Sequence, residues 1–437
     1  MSRPTEASVG SIISTHAEGT AVSTLFIGYT RFSVHQYESG SFKATSAAGG
    51  FSEAEYTDWL YAPDRLDTRT AIFIEESLPQ LEQASQKFDL VHIVAISPSL
   101  PEKYKTALQQ ARTRYPFLRI HETKQRAAPS HPNLQLVKTM LTKRGLAGQV
   151  FGMYRLDDDD LLPIDYFDRM TQYVTDEHVG YRVSLPQGIG AIRAQNGYVL
   201  PWTFYEAKSS AGFLTVHRFS PDGQKIYGLE ARHHLKGHHK ADRNFPVILD
   251  GRQPGFFRAR HQTQDSTLTT SAGAFFTRVV EQATARAAAT QDDVASSFPH
   301  IAERIFDSAR PLPGQESLIG DPTLLKGGGI AITCDYRHPM LLSGTLESAP
   351  ASSTIRLRLT LEESPDEKAV EFLREAGFTR DDQSRFERPL RWAGHQITDV
   401  LEPAPGAIIT GLELSSSEDV TLASLFAAPL KTDREAS

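Results

Sequence analysis

Four consecutive aspartates, Asp157 to Asp160, are the residues of this sequence best suited to chemistry. They directly follow a short apolar segment and Arg155, and they precede a helix-like segment at 163–170. Neighbouring carboxylates repel one another, so a cation is expected at this turn. Mg²⁺ and Mn²⁺ take carboxylate oxygens and often share their remaining sites with substrate phosphates, such as the diphosphate of a sugar nucleotide. The run therefore predicts a divalent-cation site, and the alternative is a solvated turn that caps the next helix.

The segments before the aspartates are expected to place them at the edge of a sheet. Short apolar runs alternate with stretches of helical period, which is typical of βαβ units with a mostly parallel sheet and right-handed crossovers. Such sheets bind ligands at their carboxyl edge, where the aspartates would lie. The predicted strands cover 24–29, 90–96, 117–120 and 149–154, and the predicted helices cover 67–86, 101–114 and 134–144.

The pattern changes beyond the first 180 or so residues. Gly and Pro punctuate short strand-like runs there, which indicates antiparallel hairpins. Residues 271–309 favour helix again, and the run 310–314 has the composition of a linker before further alternating segments. The expected α/β protein therefore has a flexible N-terminal tail at 1–23, an α/β domain at 24–309 and a small β-rich C-terminal module at 310–437.

Composition excludes several classes of protein. The 437 residues carry 46 Lys and Arg against 53 Asp and Glu, a formal net charge of −7, so nucleic acid and anionic lipid are disfavoured partners. No apolar stretch approaches the roughly 20 residues that a membrane-spanning helix needs. The single cysteine, Cys334, excludes an internal disulfide and a cysteine-based zinc site. These features predict a cytoplasmic protein, with peripheral association at the inner membrane still compatible.

The segment from Arg155 to Pro163 resembles the DxD or DxDD motif of GT-A glycosyltransferases. Three further segments extend the similarity to the bacterial rhamnosyltransferase family over about residues 24–270, and they are Thr30-Arg31-Phe32-Ser33, Arg65-Leu66 with Arg69, and Leu78-Pro79. The resemblance implies a GT-A fold, a Rossmann-like nucleotide-diphospho-sugar transferase domain. It places Asp157, Asp159 and Asp160 at the DxDD positions, but four acids in succession leave the register open.

The resemblance also implies a metal site for Mn²⁺ or Mg²⁺. Asp159 would ligate the metal through the diphosphate, and Asp160 is a second candidate metal ligand. GT-A enzymes often complete this site with a histidine late in the domain. His261 resembles the family's closing histidine and is the preferred ligand, ahead of His238 or His239.

The nucleotide sugar is expected to contact a second set of residues. The resemblance implies that Asp157 faces the ribose or the metal, with Asp158 next to it. Arg31 and Arg155 follow predicted strands beside the aspartates, so their guanidiniums are suited to pair with phosphate or to orient the carboxylates. For Arg31, a structural salt bridge is the alternative.

An inverting transfer, which the resemblance implies, requires a general base within reach of the acceptor hydroxyl. The base should lie between the aspartates and the late histidine, where Glu206 and Glu230 are the candidates. Asp222 belongs to a Pro-Asp-Gly turn and is interpreted as a structural residue. Aromatic residues adjoin Glu206 and are suited to stack on a sugar ring or to pack in the core. The choice between the two glutamates stays open.

Together these features predict a metal-dependent glycosyltransferase. It would transfer rhamnose from dTDP-rhamnose, with inversion, to a cell-surface or exopolysaccharide glycan or a glycolipid. One alternative is a sugar nucleotidyltransferase of the same fold, but the Gly-rich phosphate loop that such an enzyme needs after the first strand is missing. The other alternative is a non-catalytic glycan-binding protein with a structural Ca²⁺ at the acidic run.

Overall fold

The computed structural model describes residues 23–39, 51–123, 132–228, 238–264, 272–306, 311–326, 329–347, 354–380 and 385–430. The expected tail, apart from its last residue, and the expected domain boundary at 309/310 lie outside these residues. Strands and helices alternate in the first part of the chain, as the sequence predicts. The strands are β1 (Leu25–Arg31), β2 (Asp89–Ile96), β3 (Leu118–Glu122), β4 (Val150–Arg155) and β5 (Asp160–Leu161). The helices are α1 (Glu53–Leu60), α2 (Pro63–Thr70), α3 (Leu78–Ala84), α4 (Glu102–Arg114), α5 (Leu134–Lys143) and α6 (Tyr166–Thr171).

Residues 63–84 form a continuous helical stretch with an irregular middle. Helix α2 passes into a π-helical segment, Ala71–Ser77, which leads directly into α3. Segments of π-helix are frequent at functional sites. Arg69 and Glu76 are buried together with the apolar side chains of this stretch. The stretch therefore brings charged groups, as well as core residues, into the interior.

The order in which the chain adds strands to the main sheet reverses between β1 and β4. A second run of strands follows α6, namely β6 (Arg182–Ser184), β7 (Gln187–Ala194), β8 (Gly197–Tyr205), β9 (Phe213–Phe219), β10 (Ile226–Tyr227), β11 (Val247–Leu249) and β12 (Phe256–Arg260). The strand order is β3-β2-β1-β4-β9-β6-β11, with β10 on the side of β9. The strands β3, β2, β1 and β4 are parallel, whereas β9 is antiparallel to β4. Strands β2 and β3 thus lie on one side of β1, and β4 lies on the other. This reversal opens a crevice at the carboxyl ends of β1 and β4.

Strands that follow β4 in the sequence form a second, smaller sheet. Its order is β5-β12-β7-β8, and β12 runs antiparallel to β5. Leu161 of β5 and Phe257 of β12 are buried in one apolar cluster with Ile72 of the π-helical segment. This sheet is therefore packed against the helical stretch 63–84.

Three helices follow the small sheet, namely α7 (Ala272–Thr284), α8 (Gln291–Ser297) and α9 (Pro299–Ala302). None of the helices in the described ranges is both long enough and apolar enough to cross a bilayer. The described residues between 311 and 430 form two antiparallel sheets around their own apolar core, and the β-rich prediction is confirmed. Their elements are β13 (Glu316–Ser317), β14 (Thr323–Leu324), β15 (Ile330–Tyr336), β16 (Met340–Leu346), β17 (Ile355–Leu361), α10 (Glu367–Glu375), β18 (Thr379–Arg380), β19 (Phe386–Pro389), β20 (Trp392–Ala393), β21 (Gln396–Leu401), β22 (Ile409–Ser416) and β23 (Thr421–Pro429).

Helix α7 joins the two parts of the molecule. Its residues Phe276 and Val279 are buried in a cluster that contains Trp202 of β8 and also Val400 of β21. A carboxylate oxygen of Glu402 accepts a hydrogen bond from the Gly273 N–H at 2.6 Å. The β-rich module is therefore packed, through α7, on the small sheet that follows β4.

Candidate active site

The acidic turn, residues 156–160, lies at the carboxyl edge of the main sheet. Leu156 is fully buried, and its N–H donates to the carbonyl of Tyr29 at 3.0 Å. The hydroxyl of Thr30 donates to the Leu156 carbonyl at 2.8 Å. The turn is thus tied to the end of β1, and the aspartates meet the segment 30–33 in the crevice between β1 and β4.

A buried polar cluster supports the end of β1. His92, which is fully buried, lies 2.9 Å from the hydroxyl of Thr30 and 2.9 Å from that of Tyr154. A Cβ atom at Gly28 would lie 2.2 Å from Nδ1 of His92, so this position of β1 requires glycine. Burial lowers the pKa of His92 to about 3, and the ring is neutral near pH 7.

Asp157 faces the partly exposed side of the turn. Its Oδ1 accepts two hydrogen bonds from Arg155, at 3.1 and 2.7 Å, and its Oδ2 accepts from the hydroxyl of Ser210 at 3.1 Å. Burial raises the pKa of Asp157, but Arg155 and then Arg31 outweigh burial and lower it overall. The structure thus brings Arg31, Arg155 and Asp157 together, as the sequence predicts.

Asp158 points away from solvent, toward α2. Its Oδ1 is paired with Arg69, and its Oδ2 accepts from the Ser33 N–H at 3.3 Å. Ser33 has a φ of 43°, a left-handed conformation that is uncommon for serine, and its hydroxyl accepts from Arg65 at 3.0 Å. Burial raises the pKa of Asp158 to about 6. The contacts of Asp158 hold the loop after β1 in place.

Asp159 and His261 face each other across the turn. Asp159 Oδ2 lies 3.3 Å from Nε2 of His261 and 3.2 Å from Nη2 of Arg69. Burial raises the pKa of Asp159, but Arg69 and His261 outweigh it and hold that pKa well below its ordinary value. Burial also lowers the pKa of His261 to about 4, so its ring is a neutral donor or ligand near pH 7.

Asp160 is linked to Glu206 through one arginine. Arg258 of β12 lies 3.4 Å from Asp160 Oδ1, donates to Glu206 Oε2 at 2.5 Å and donates to the Ser209 hydroxyl at 3.1 Å. Burial raises the pKa of Asp160 to about 7. The side chain of Glu206 is 35% exposed, whereas that of Asp160 is 4% exposed. Glu206 is therefore the carboxylate of this pair that a ligand from solvent can reach.

The residues present fit a divalent cation only in part. Among the residues that the structure describes, no group of three or more His, Cys, Asp or Glu side chains is arranged to hold a metal ion. Asp159 Oδ2 and His261 Nε2 are a suitable pair, because their 3.3 Å separation is close to the roughly 3.0 Å between adjacent ligands at about 2.1 Å from an octahedral ion. A cation at this pair would take its remaining ligands from phosphate and water.

Glu230, His238 and Asp222 were also named from the sequence. Glu230 is outside the described residues. His238 is near the site, with Nδ1 2.5 Å from the Lys208 carbonyl, and burial lowers its pKa. Asp222 lies in an exposed turn, where it accepts from Ser220 and from the Gln224 N–H, which agrees with its structural interpretation.

Two arginines that neutralise the acidic turn, Arg69 and Arg258, were not predicted from the sequence as partners of the aspartates. Arg69 was noted only as part of a family resemblance, and neither Arg258 nor Ser33 was expected to contact an aspartate. In the structure each aspartate of the run is paired with an arginine. Elementary electrostatics could have indicated such partners, because consecutive buried carboxylates require compensating positive side chains from other parts of the chain.

Solved structures show limited similarity to this chain, and no curated protein matches it. A 4-diphosphocytidyl-2C-methyl-D-erythritol synthase is 12% identical, with 53% of this chain and 90% of that one covered, at a TM-score of 0.26. TarS from S. aureus, in complex with UDP-GlcNAc, is 10% identical over 63% of this chain and 67% of its own, at a TM-score of 0.27. A further S. aureus TarS structure is 11% identical, with 92% of this chain and 77% of that one covered, at a TM-score of 0.25. TM-scores this low carry no argument about function.

The protein family described as "Putative rhamnosyl transferase" matches residues 26–273. The match extends from β1 beyond β12, so it contains the acidic turn, Glu206 and His261. It covers more than half of the chain and ends before the β-rich module. The strand order around β1 and β4 confirms the expected α/β fold with a mostly parallel sheet. The chain belongs to this rhamnosyl transferase family and is a glycosyltransferase.

Proposed function

We propose that this glycosyltransferase transfers a rhamnosyl group from a nucleoside-diphosphate sugar, dTDP-rhamnose, to a hydroxyl of a cell-surface or exopolysaccharide glycan. The observation that carries the proposal is the meeting of the acidic turn, the loop after β1 and Glu206 in one crevice. The family description supports the sugar, and the thymidine base and the acceptor are expectations from the sequence resemblance.

The donor is assigned to the partly exposed side of the turn. Arg31 and Arg155 flank Asp157 there, and guanidinium groups bind phosphate oxygens with charge-assisted hydrogen bonds. The side chain of Asp157 is 29% exposed, against 3% for Asp158, so Asp157 is the aspartate that can contact the ribose. This assignment favours the register in which Asp157 and Asp159 form the DxD motif.

Asp159 and His261 are proposed to hold Mn²⁺ or Mg²⁺ together with the donor diphosphate. A divalent cation held there would neutralise the charge that develops on the departing nucleoside diphosphate. The proposal is supported by the neutral state of His261, because only an unprotonated imidazole ligates a metal. Asp160, which is 4% exposed and paired with Arg258, is assigned to positioning rather than to direct ligation.

Glu206 is proposed as the general base of an inverting transfer. Its carboxylate would accept the proton of the acceptor hydroxyl while the acceptor oxygen bonds to the anomeric carbon and the bond from that carbon to the diphosphate oxygen breaks. Arg258 fixes one carboxylate oxygen of Glu206 at 2.5 Å and leaves the other for the acceptor. The exposure of Glu206 supports this role.

The test begins with a thermal-shift panel of dTDP, UDP, GDP and CMP on the full chain, each with and without Mn²⁺. A ligand present at about a hundredfold over its Kd adds roughly 2.7 kcal/mol to the free energy of unfolding. We expect a shift for dTDP that is larger when Mn²⁺ is present. A full panel without any shift would overturn the proposed donor site.

A substitution at Glu206 tests the role of the general base independently of donor binding. Glu206→Gln should lower kcat by about 10²- to 10⁴-fold while the dTDP shift stays intact. Asp242→Asn is the matched control, because Asp242 is an exposed acid that pairs only with Lys208 among its described contacts. Unchanged turnover in Glu206→Gln would remove this residue from the mechanism and leave the donor site standing.

A further inference from the structure

Arg69 contacts both central aspartates of the acidic turn. One of its terminal nitrogens is paired with Asp158 Oδ1, and the other lies 3.2 Å from Asp159 Oδ2. The three side chains are buried, with 8%, 3% and 11% exposed for Arg69, Asp158 and Asp159. Asp159 Oδ2 is the same atom that faces His261 Nε2. A guanidinium and the proposed cation therefore share one ligand oxygen.

We infer that Arg69 is a positioning residue that takes the place of the divalent cation in the donor-free protein, so that the cation binds tightly only together with the donor diphosphate. This inference rests on the proposed cation site at Asp159 and His261. It adds a rule about order of binding, because a cation that arrives alone must compete with Arg69 for Asp159.

The charges around the turn explain this competition. Four arginines, Arg31, Arg69, Arg155 and Arg258, face the four aspartates and Glu206, so most of the negative charge is compensated before any ligand arrives. A divalent cation that binds alone would bring two positive charges to a site that retains about one uncompensated negative charge, and an uncompensated buried charge is costly. A diphosphate brings the missing negative charge and offers new oxygens to the Arg69 nitrogen that leaves Asp159, while Asp158 retains the other nitrogen.

The test compares Mn²⁺ binding in matched variants of the full chain. Arg69→Met alone would leave Asp158 buried without its arginine, so the informative pair is Asp158→Asn and the double variant Arg69→Met/Asp158→Asn. The two differ only at Arg69, and the double variant removes one positive and one negative charge together. Mn²⁺ alone is titrated, and the free ion is followed by its electron paramagnetic resonance signal.

We expect the double variant to bind Mn²⁺ about tenfold or more tightly than Asp158→Asn, because the competing guanidinium is absent. The control Arg65→Met/Asp158→Asn removes a buried arginine from the same helix that contacts Ser33 and the Leu60 carbonyl, and its Mn²⁺ affinity should match that of Asp158→Asn. Equal affinities in the main pair would overturn the inference, as would absence of Mn²⁺ binding from both. In either case the dTDP shift and the Glu206→Gln result still decide the proposed transfer reaction.

Discussion

Aspartates that are consecutive in the sequence have different neighbours in the structure. Asp158 and Asp160 are 3% and 4% exposed and form ion pairs with arginines inside the protein. Asp157 and Asp159, which are 29% and 11% exposed, border the crevice. Alternation of inward and outward carboxylates separates positioning residues from residues that can reach a ligand, and substitutions along the run should therefore differ in their effects.

Asp159→Asn should abolish most of the turnover without unfolding the protein. Loss of one preorganised charge beside a developing phosphate charge costs about 10²- to 10³-fold in kcat. The asparagine can still accept a hydrogen bond from Arg69, and Asp158 keeps its own pairing, so the thermal midpoint should fall by only a few degrees. The measurement is kcat with thermal unfolding of the same sample. Asp222→Asn in the exposed turn is the control, and a comparable loss there would contradict the assignment.

His92 should make the protein sensitive to acid. Its pKa is lowered from 6.5 to about 3, so below about pH 6.5 the unfolded chain takes up a proton that the native state does not. Stability contributed by neutral His92 is therefore lost as the pH falls, by up to about 1.4 kcal/mol per pH unit. Asp158 and Asp160, whose pKa values are raised, act in the opposite sense, so the difference between wild type and His92→Gln is the useful quantity.

Urea unfolding of wild type and His92→Gln at about pH 6 and about pH 5 checks this expectation. The stability advantage of the wild type should shrink by about 1 kcal/mol between the two conditions. An advantage that stays constant would mean that His92 is already charged in the native state.

The local sequence pattern could predict the candidate site only where its residues are close together or follow strands, whereas His261 was predicted from the family resemblance. The acidic run, Arg31 and Arg155 belong to that group, and the predicted strand ends place them correctly at one edge. Arg69 could not be assigned a partner, because its contact with Asp158 depends on how the helical stretch 63–84 crosses the sheet. Pairings between distant side chains follow from the path of the chain, which local periodicity does not encode.

At the scale of elements, the π-helical segment Ala71–Ser77 connects the acidic turn to the small sheet. Glu76 in this segment is fully buried and accepts hydrogen bonds from Arg193 at 2.7 Å, Tyr198 at 2.5 Å and Arg304 at 2.6 Å. Arg69, two residues before the segment, is paired with the turn. One irregular helix thus fixes the acidic turn relative to β7 and β8.

Glu76→Gln should destabilise the protein strongly. Removal of one partner from a buried ionic network leaves Arg193 without its counter-charge and costs about 3–5 kcal/mol. Glu75→Gln is the matched control, because Glu75 is 54% exposed and lies 3.8 Å from Arg304, which makes its contribution at most about 1 kcal/mol. Denaturant unfolding of both variants measures the difference. Equal effects at the two positions would show that the buried network contributes no more than a surface pair.

Regular elements with strong periodicity were predictable, and irregular ones were not. The four parallel strands, α4 and α5 lie close to their predicted ranges, whereas α1 was not predicted and the helical stretch predicted at 67–86 begins at Pro63. The π-helical segment was predicted as ordinary helix, because an extra residue in one turn leaves the apolar spacing almost unchanged. The insertion of β9 beside β4, antiparallel within a parallel sheet, is a long-range pairing that a strand-like run cannot specify.

At the scale of the whole molecule, the α/β part and the β-rich module share an apolar cluster around α7. Phe276 on this helix is 1% exposed, and the cluster includes Leu341, Val400 and Ala428 from the β-rich module. Phe276→Ala should cost about 3–5 kcal/mol and lower the temperature of one common unfolding transition. Calorimetry checks this, with Tyr227→Ala, a change at a 44% exposed side chain, as the control. Two separate transitions in the wild type would contradict shared unfolding.

Helix α7 also limits how the protein can be dissected. The linker-like run 310–314 suggests a place to separate a transferase from an appended module. A cut there would leave Phe276 and Val279 uncovered on one fragment, and Val400 and Ala428 uncovered on the other. Each fragment would then carry an apolar surface that invites aggregation. The β-rich part is therefore a structural component of the enzyme's own core, and deletion of that part is not a neutral way to ask what it binds.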